Sequence, residues 1–227
     1  MKKSVSGLVL GAAAVMGVTA SQASAGLIIT GLIDGGLSGG LPKVIELYAT
    51  TDIPDLSVYG AGSANNGGGT DGVELILSGS ASAGDFIYLA SESVQFSTYF
   101  GFTPTLFFTG GANGGPASIN GDDAVELFYD PTGAFAGGET VVDVFGEIAS
   151  LPGAWNYLDG WAYRNDNTGP DGSTFVIGNW TFSGINVTDG TTSNSQVNPP
   201  FPIGTYVPEP ASLALMGLGG LAVFRRR

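Results

Sequence analysis

Four stretches of this chain set a single acid among aliphatic residues: Val44-Ile45-Glu46-Leu47, Val73-Glu74-Leu75, Val125-Glu126-Leu127 and Val142-Asp143-Val144. A repeat of two is the period of an extended strand, whose side chains alternate between opposite faces. Ile45 and Leu47 then point one way and Glu46 the other. Val73 and Leu75 oppose Glu74, Val125 and Leu127 oppose Glu126, and Val142 and Val144 oppose Asp143. Sliding any of these strands by one residue would bury its acid without a partner. The acids therefore fix register as well as conformation.

Clusters of Gly, Asn, Asp and Pro punctuate the chain about every ten residues, a turn signal. Glycine alone accounts for 38 of the 227 residues, far above the usual ~7%. Between the clusters, strands are expected over 27–33, 43–49, 72–77, 85–90, 105–109, 124–129, 140–145, 160–163 and 174–182. No window shows a sustained helical period. Short strands at this spacing predict an all-β fold, an antiparallel β-sandwich or barrel, with longer loops at 62–72 and 110–121.

Three segments carry a family likeness: 43–59 (KVIELYATTDIPDLSVY), 119–129 (INGDDAVELFY) and 140–147 (TVVDVFGE). An Ile-Glu-Leu-Tyr strand is followed by the turn Asp55-Leu56-Ser57. Asn120-Gly121-Asp122-Asp123-Ala124-Val125 and a Val-Val-Asp strand come later. Together these resemble the lamin tail domain, from about residue 27 to 146, with a looser continuation through Trp161 and Trp180. The resemblance implies an immunoglobulin-like antiparallel β-sandwich that serves as an interaction module and has no shared catalytic residues. A fold shared in this way transfers little function.

Both ends of the chain read as targeting segments. Lys2 and Lys3 precede an apolar stretch, and Ala23-Ser24-Ala25 follows as a small-residue cleavage site. These are the parts of a secretory signal peptide over residues 1–25, with Ala23 and Ala25 at the cleavage positions. At the other end, residues 207–227 read VPEPASLALMGLGGLAVFRRR. The uncharged run 211–224 would span roughly 21 Å as a short helix, against a hydrocarbon core of about 30 Å. It is short for a permanent anchor and suits a transient membrane insertion. Arg225, Arg226 and Arg227 favour the cytoplasmic side, which leaves Pro208-Glu209-Pro210 outside, extended because proline cannot continue a helix.

This tail resembles the PEP-CTERM sorting signal of Gram-negative bacteria. The resemblance implies export, handling by a membrane-embedded exosortase near Pro208, Glu209 and Pro210, and a destination on the outer surface or in the extracellular matrix. The resulting domain plan is signal peptide 1–25, β-sandwich 26–187, a Thr/Ser/Pro-rich linker 188–206 and sorting signal 207–227. The linker is expected to be an extended spacer.

Composition limits what the body can do. Of seven basic residues only Lys43 and Arg164 lie between the two ends, against nineteen of the twenty acids, a formal charge of −17 for residues 26–207. So acidic a body repels nucleic acid and anionic lipid. Cysteine and histidine are absent, which excludes disulfides, Cys/His zinc sites and Ser-His-Asp or Cys-His catalysis. The leading expectation is a non-catalytic interaction or structural component, without a required cofactor.

Two alternatives belong to other classes. Asp122 and Asp123 after Asn120-Gly121, and Asp166 and Asp171 in a second oxygen-rich loop, supply the donors calcium takes; the simpler readings are a turn and a polar loop. Trp155 and Trp161, alternating with Tyr157 and Tyr163, form a row that would stack on sugars if exposed and packs between strands if not. Together they define a calcium-dependent carbohydrate-binding protein with an extracellular polysaccharide as partner. A carboxylate-based extracellular hydrolase is the remaining alternative.

Overall fold

The computed structural model describes residues 26–109 and 115–210. The described chain forms β1 (Leu27–Leu37), β2 (Leu41–Ala49), β3 (Tyr59–Ala64), β4 (Leu75–Ile76), β5 (Phe86–Ala90), helix α1 (Ser93–Phe100), β6 (Leu106–Thr109), β7 (Ala124–Tyr129), β8 (Thr140–Phe145), β9 (Trp161–Arg164) and β10 (Trp180–Phe182). One sheet runs β10-β9-β1-β2-β5-β6 and the other β4-β3-β7-β8. The alternation in 44–47 and 125–127 places Ile45, Leu47, Val125 and Leu127 in one buried cluster with Leu27, Ile29, Leu32, Ile87, Leu89 and Phe145. That cluster is the core between the two sheets.

The antiparallel expectation fails at one pair. β5 and β6 are parallel, Ile87 opposite Leu106 and Leu89 opposite Phe108. Parallel neighbours need a crossover, and α1 is that crossover. No helical period betrays α1, because its apolar face is only Phe96, Tyr99 and Phe100 within eight residues. Its end is fixed by Gly101, whose N–H bonds the Ser97 carbonyl. The segment 62–72, expected as loop, instead starts inside β3. A side chain at Gly62 would place its Cβ 1.9 Å from the Gly72 carbonyl oxygen, so glycine here permits close backbone approach within a strand. The expected strands 72–77 and 174–182 shrink to β4 and β10, the latter preceded by a 3-10 turn at Ile177–Asn179.

The large sheet is covered on both faces. Behind the core, Ile28, Ile33, Val44, Tyr88, Trp161 and Tyr163 form a second buried cluster with Phe96 and Tyr99 of α1 and with Val197, Phe201 and Tyr206. The first nine residues of β1 are all buried, as a strand covered on both faces requires. Residues 188–206 are therefore part of the fold and not a spacer, and the folded body runs to Val207.

Burial also changes the meaning of three of the four acids, Glu74 being half-buried. Glu46, Glu126 and Asp143 are each no more than 3% exposed. Asp143 pairs across from Leu127 and shares its inward face with Phe145, the reverse of the expected orientation. It is tolerated because Arg164 meets it: Nη2 lies 2.8 Å from both carboxylate oxygens, and the Ile29 and Asp171 amides donate at 2.8 and 2.9 Å. Arg164 also pairs with Asp171 at 3.0 Å and stacks 4.5 Å above the Trp180 ring. Burial pushes the Asp143 carboxyl above its ordinary range, against the opposing pull of the guanidinium. A buried acid–arginine–acid chain thus joins the two sheets.

Candidate functional site

The C-terminal stretch owes its path to a few side chains. Thr188 is buried and donates to the Asp34 carbonyl at 2.8 Å, while its own amide reaches Asp159 O at 3.0 Å. Asn194 closes the next loop on itself, with both halves of its amide bonded to the Phe201 backbone at 2.9 Å. Trp161 Nε1 donates to the Pro199 carbonyl at 2.9 Å. Phe201 then inserts against Phe100, Trp161 and Tyr163. It lies where a Cβ on Gly31 would be 2.6 Å from its ring, so β1 must carry glycine there.

Glu46 anchors the chain just beyond Phe201. It lies on the outer face of β2, fully buried. Its Oε1 accepts from Thr30 Oγ1 and from the Tyr163 hydroxyl, both at 2.8 Å, and Oε2 accepts the Gly204 amide at 2.7 Å. Thr30 reaches it because β1 bulges between Ile29 and Gly31, which turns the extra residue. Tyr163 accepts in turn from the Thr205 and Tyr206 amides at 3.1 and 3.0 Å. Burial pushes the Glu46 carboxyl up to about 7, although hydrogen bonds from Tyr163, Gly204, Thr30 and Tyr88 oppose the shift. Three consecutive backbone amides are thereby held by one carboxylate–tyrosine pair.

The next residue is held from the surface. Val207 N–H donates to Asp166 Oδ1 at 2.9 Å, and its carbonyl accepts the Asn167 amide at 2.9 Å. Tyr206 is buried, and its hydroxyl bonds the Thr168 carbonyl at 2.8 Å. Val207 is thus fixed through both backbone groups while its side chain stays exposed. Pro208 is half-buried, and Glu209 and Pro210 are exposed.

Residues 207–227 match the PEP-CTERM protein-sorting motif. The PEP-CTERM match thus begins at the residue that the 166–167 loop fixes. A sorting motif of this kind implies export, surface localisation in Gram-negative bacteria and handling by an exosortase. No curated protein and no solved structure matches the chain. The likeness of the body to the lamin tail domain is supported by no matching family model. Ala23, Ala25, Arg225, Arg226 and Arg227, the signal peptide and the expected C-terminal helix lie outside the described residues. Among the described residues, no helix is long and apolar enough to cross a membrane.

The other candidate residues are occupied by the fold. Asp123 is buried and accepts the Asn66 and Asn120 amides at 2.8 Å, the turn reading. Lys43 Nζ fills the oxygen-rich space beside it, 2.8 Å from Asp34 Oδ1, 2.6 Å from Ile119 O and 2.9 Å from Asn120 Oδ1. Burial raises the Asp122 carboxyl, and the neighbouring Asp123 adds to the shift. Asp166 is bonded to Val207, and Asp171 to Arg164 and Asn179. No group of three or more acids converges among the described residues.

Trp155 and Trp161 are each 3% exposed. Trp155 packs edge-on to Phe145 and Phe175, and Trp161 to Phe201. Rings so covered cannot stack on a sugar, and the row is packing.

Glu46, Tyr163 and Asp166 as the seat of the C-terminal stretch escape a reading by sequence, since alternation alone sends Glu46 toward solvent. The available signal is Phe201 and Tyr206, two large rings in a stretch otherwise fit for a spacer.

Proposed function

We propose that this protein is an exported, exosortase-sorted component of the cell surface or extracellular matrix, and that its β-body is a non-catalytic interaction or structural module. The observation that carries this reading is the PEP-CTERM match at 207–227, adjoining a folded body with no spacer between them. An immunoglobulin-like, lamin-tail kinship of the body belongs to the same proposal. It is supported by the placement of its motif: Asp55 caps the turn at Leu56–Val58 by accepting the Ser57 amide, Leu56 is buried, and Asn120-Gly121 leads into β7. The groove between 144–150 and 173–175, about 460 Å³, has Glu147 as its single ionisable lining group, which gives a two-carboxylate hydrolase no pair there. Burial of Trp155 and Trp161 favours the interaction module over the sugar-binding alternative.

The test is intact-mass analysis of the protein from a host with and without its exosortase. The expected result is loss of residues 1–25 in both, and loss or modification of the tail in the first only. A tail identical in the two hosts would overturn the sorting role.

A further inference from the structure

The fold commits the four amides on the N-terminal side of the Pro-Glu-Pro triplet, and the last carbonyl before it. The Gly204 amide is on Glu46, those of Thr205 and Tyr206 on Tyr163, and that of Val207 on Asp166; the Val207 carbonyl is on Asn167. Only Pro208, Glu209 and Pro210 separate this seat from the apolar run at 211–224. Three extended residues reach about 10 Å, too little for an enzyme to sit between the domain and the membrane.

Enzymes that take extended peptides hold them largely by main-chain hydrogen bonds. The amides such an enzyme would use on this side, and the Val207 carbonyl, are already engaged, and the Tyr206 ring is buried against Tyr48. We infer that the seat is a latch. Residues 204–207 must lift from Glu46, Tyr163 and Asp166 before the exosortase can grip the chain upstream of the triplet, and the free energy of lifting sets the processing rate. The inference rests on the sorting role proposed above and adds its regulation: a tightly folded domain restrains its own release.

The latch divides between core and surface, which makes it testable without unfolding the protein. Asp166 is exposed and hydrogen-bonds residues 204–207 at Val207, so Asp166→Ala removes that bond without cutting into the core. Tyr163→Phe removes the acceptor for two amides. Inserting six Gly/Ser residues after Val207 gives the enzyme free chain without disturbing the seat.

Amide hydrogen exchange on the precursor, purified from cells lacking the exosortase, reads the latch directly. Pulse–chase with intact-mass detection in the sorting host reads processing. The amides of 204–207 should be protected in the natural sequence. Asp166→Ala should speed exchange at Val207 and tail loss together, by about fivefold for one lost hydrogen bond. Tyr163→Phe should do the same at Thr205 and Tyr206. The insertion should speed tail loss at least as much and make a further Asp166→Ala change silent. Unprotected amides in the natural sequence, faster exchange with unchanged tail loss, or an insertion without effect would each overturn the latch and leave the sorting role standing. Tail loss at the natural rate from a Glu209→Ala precursor would overturn the sorting role, and the latch with it.

Discussion

Glu46 holds its proton more tightly in the folded chain than in the unfolded one. The folded carboxyl titrates at about 7 against an ordinary value of 4.5, so between these values the native state binds a proton that the unfolded state has released. By linkage, the stability Glu46 contributes is fully present below about pH 4.5 and is lost as pH rises through about 7. At about 1.4 kcal/mol per pH step, the swing is on the order of 3 kcal/mol. The groups facing Glu46 are the Thr30, Tyr88 and Tyr163 hydroxyls and the Gly204 amide, and burial pushes both tyrosines above their own ordinary range. Denaturant unfolding from pH 4 to 8 should show Glu46→Gln lacking this fall. Parallel pH profiles for the two proteins would mean that Glu46 titrates alike in the folded and unfolded chain.

Among the elements, the C-terminal strap, residues 188–207, closes the second core. Phe201 is 1% exposed and fills the space over Gly31. Phe201→Ala should cost about 3–5 kcal/mol, read as a lower denaturation midpoint, and should expose the aromatic face of the large sheet to a hydrophobic dye. A midpoint shift below about 1 kcal/mol would show that the strap is peripheral. The same elements mark how far sequence reading reaches. β2, β7 and β8 are legible because each has an acid to mark the alternation, although the partner that buries Asp143 lies 21 positions away and no local pattern predicts it. β3 reads as loop because its glycines, needed for close backbone approach, look like turn residues. α1 stays hidden because a crossover of eight residues offers only one turn's worth of apolar repeat. The strap stays hidden because proline and serine outnumber its few buried rings, and the surface they bury against is contributed by β1, β2, β5, β9 and α1.

For the molecule as a whole, charge is the main destabilising field. The −17 body includes many exposed acids, and their mutual repulsion is felt over a Debye length that shrinks from about 30 Å at 0.01 M salt to about 8 Å at 0.15 M. Adding sodium chloride over that range should raise the melting temperature. Calcium and chelator, compared at matched ionic strength, should give coincident curves, since Asp123, Asp166 and Asp171 are already bonded within the fold. A calcium-specific rise would restore the metal-dependent alternative.

One of the two central strands of the large sheet is also the earliest one in the body. β1 is bordered by β2 on one side and by β9, some 130 residues later, on the other, and Phe201 caps it from beyond that. A polypeptide made N-terminus first must therefore extend past residue 161 of 227 before that strand gains its second neighbour.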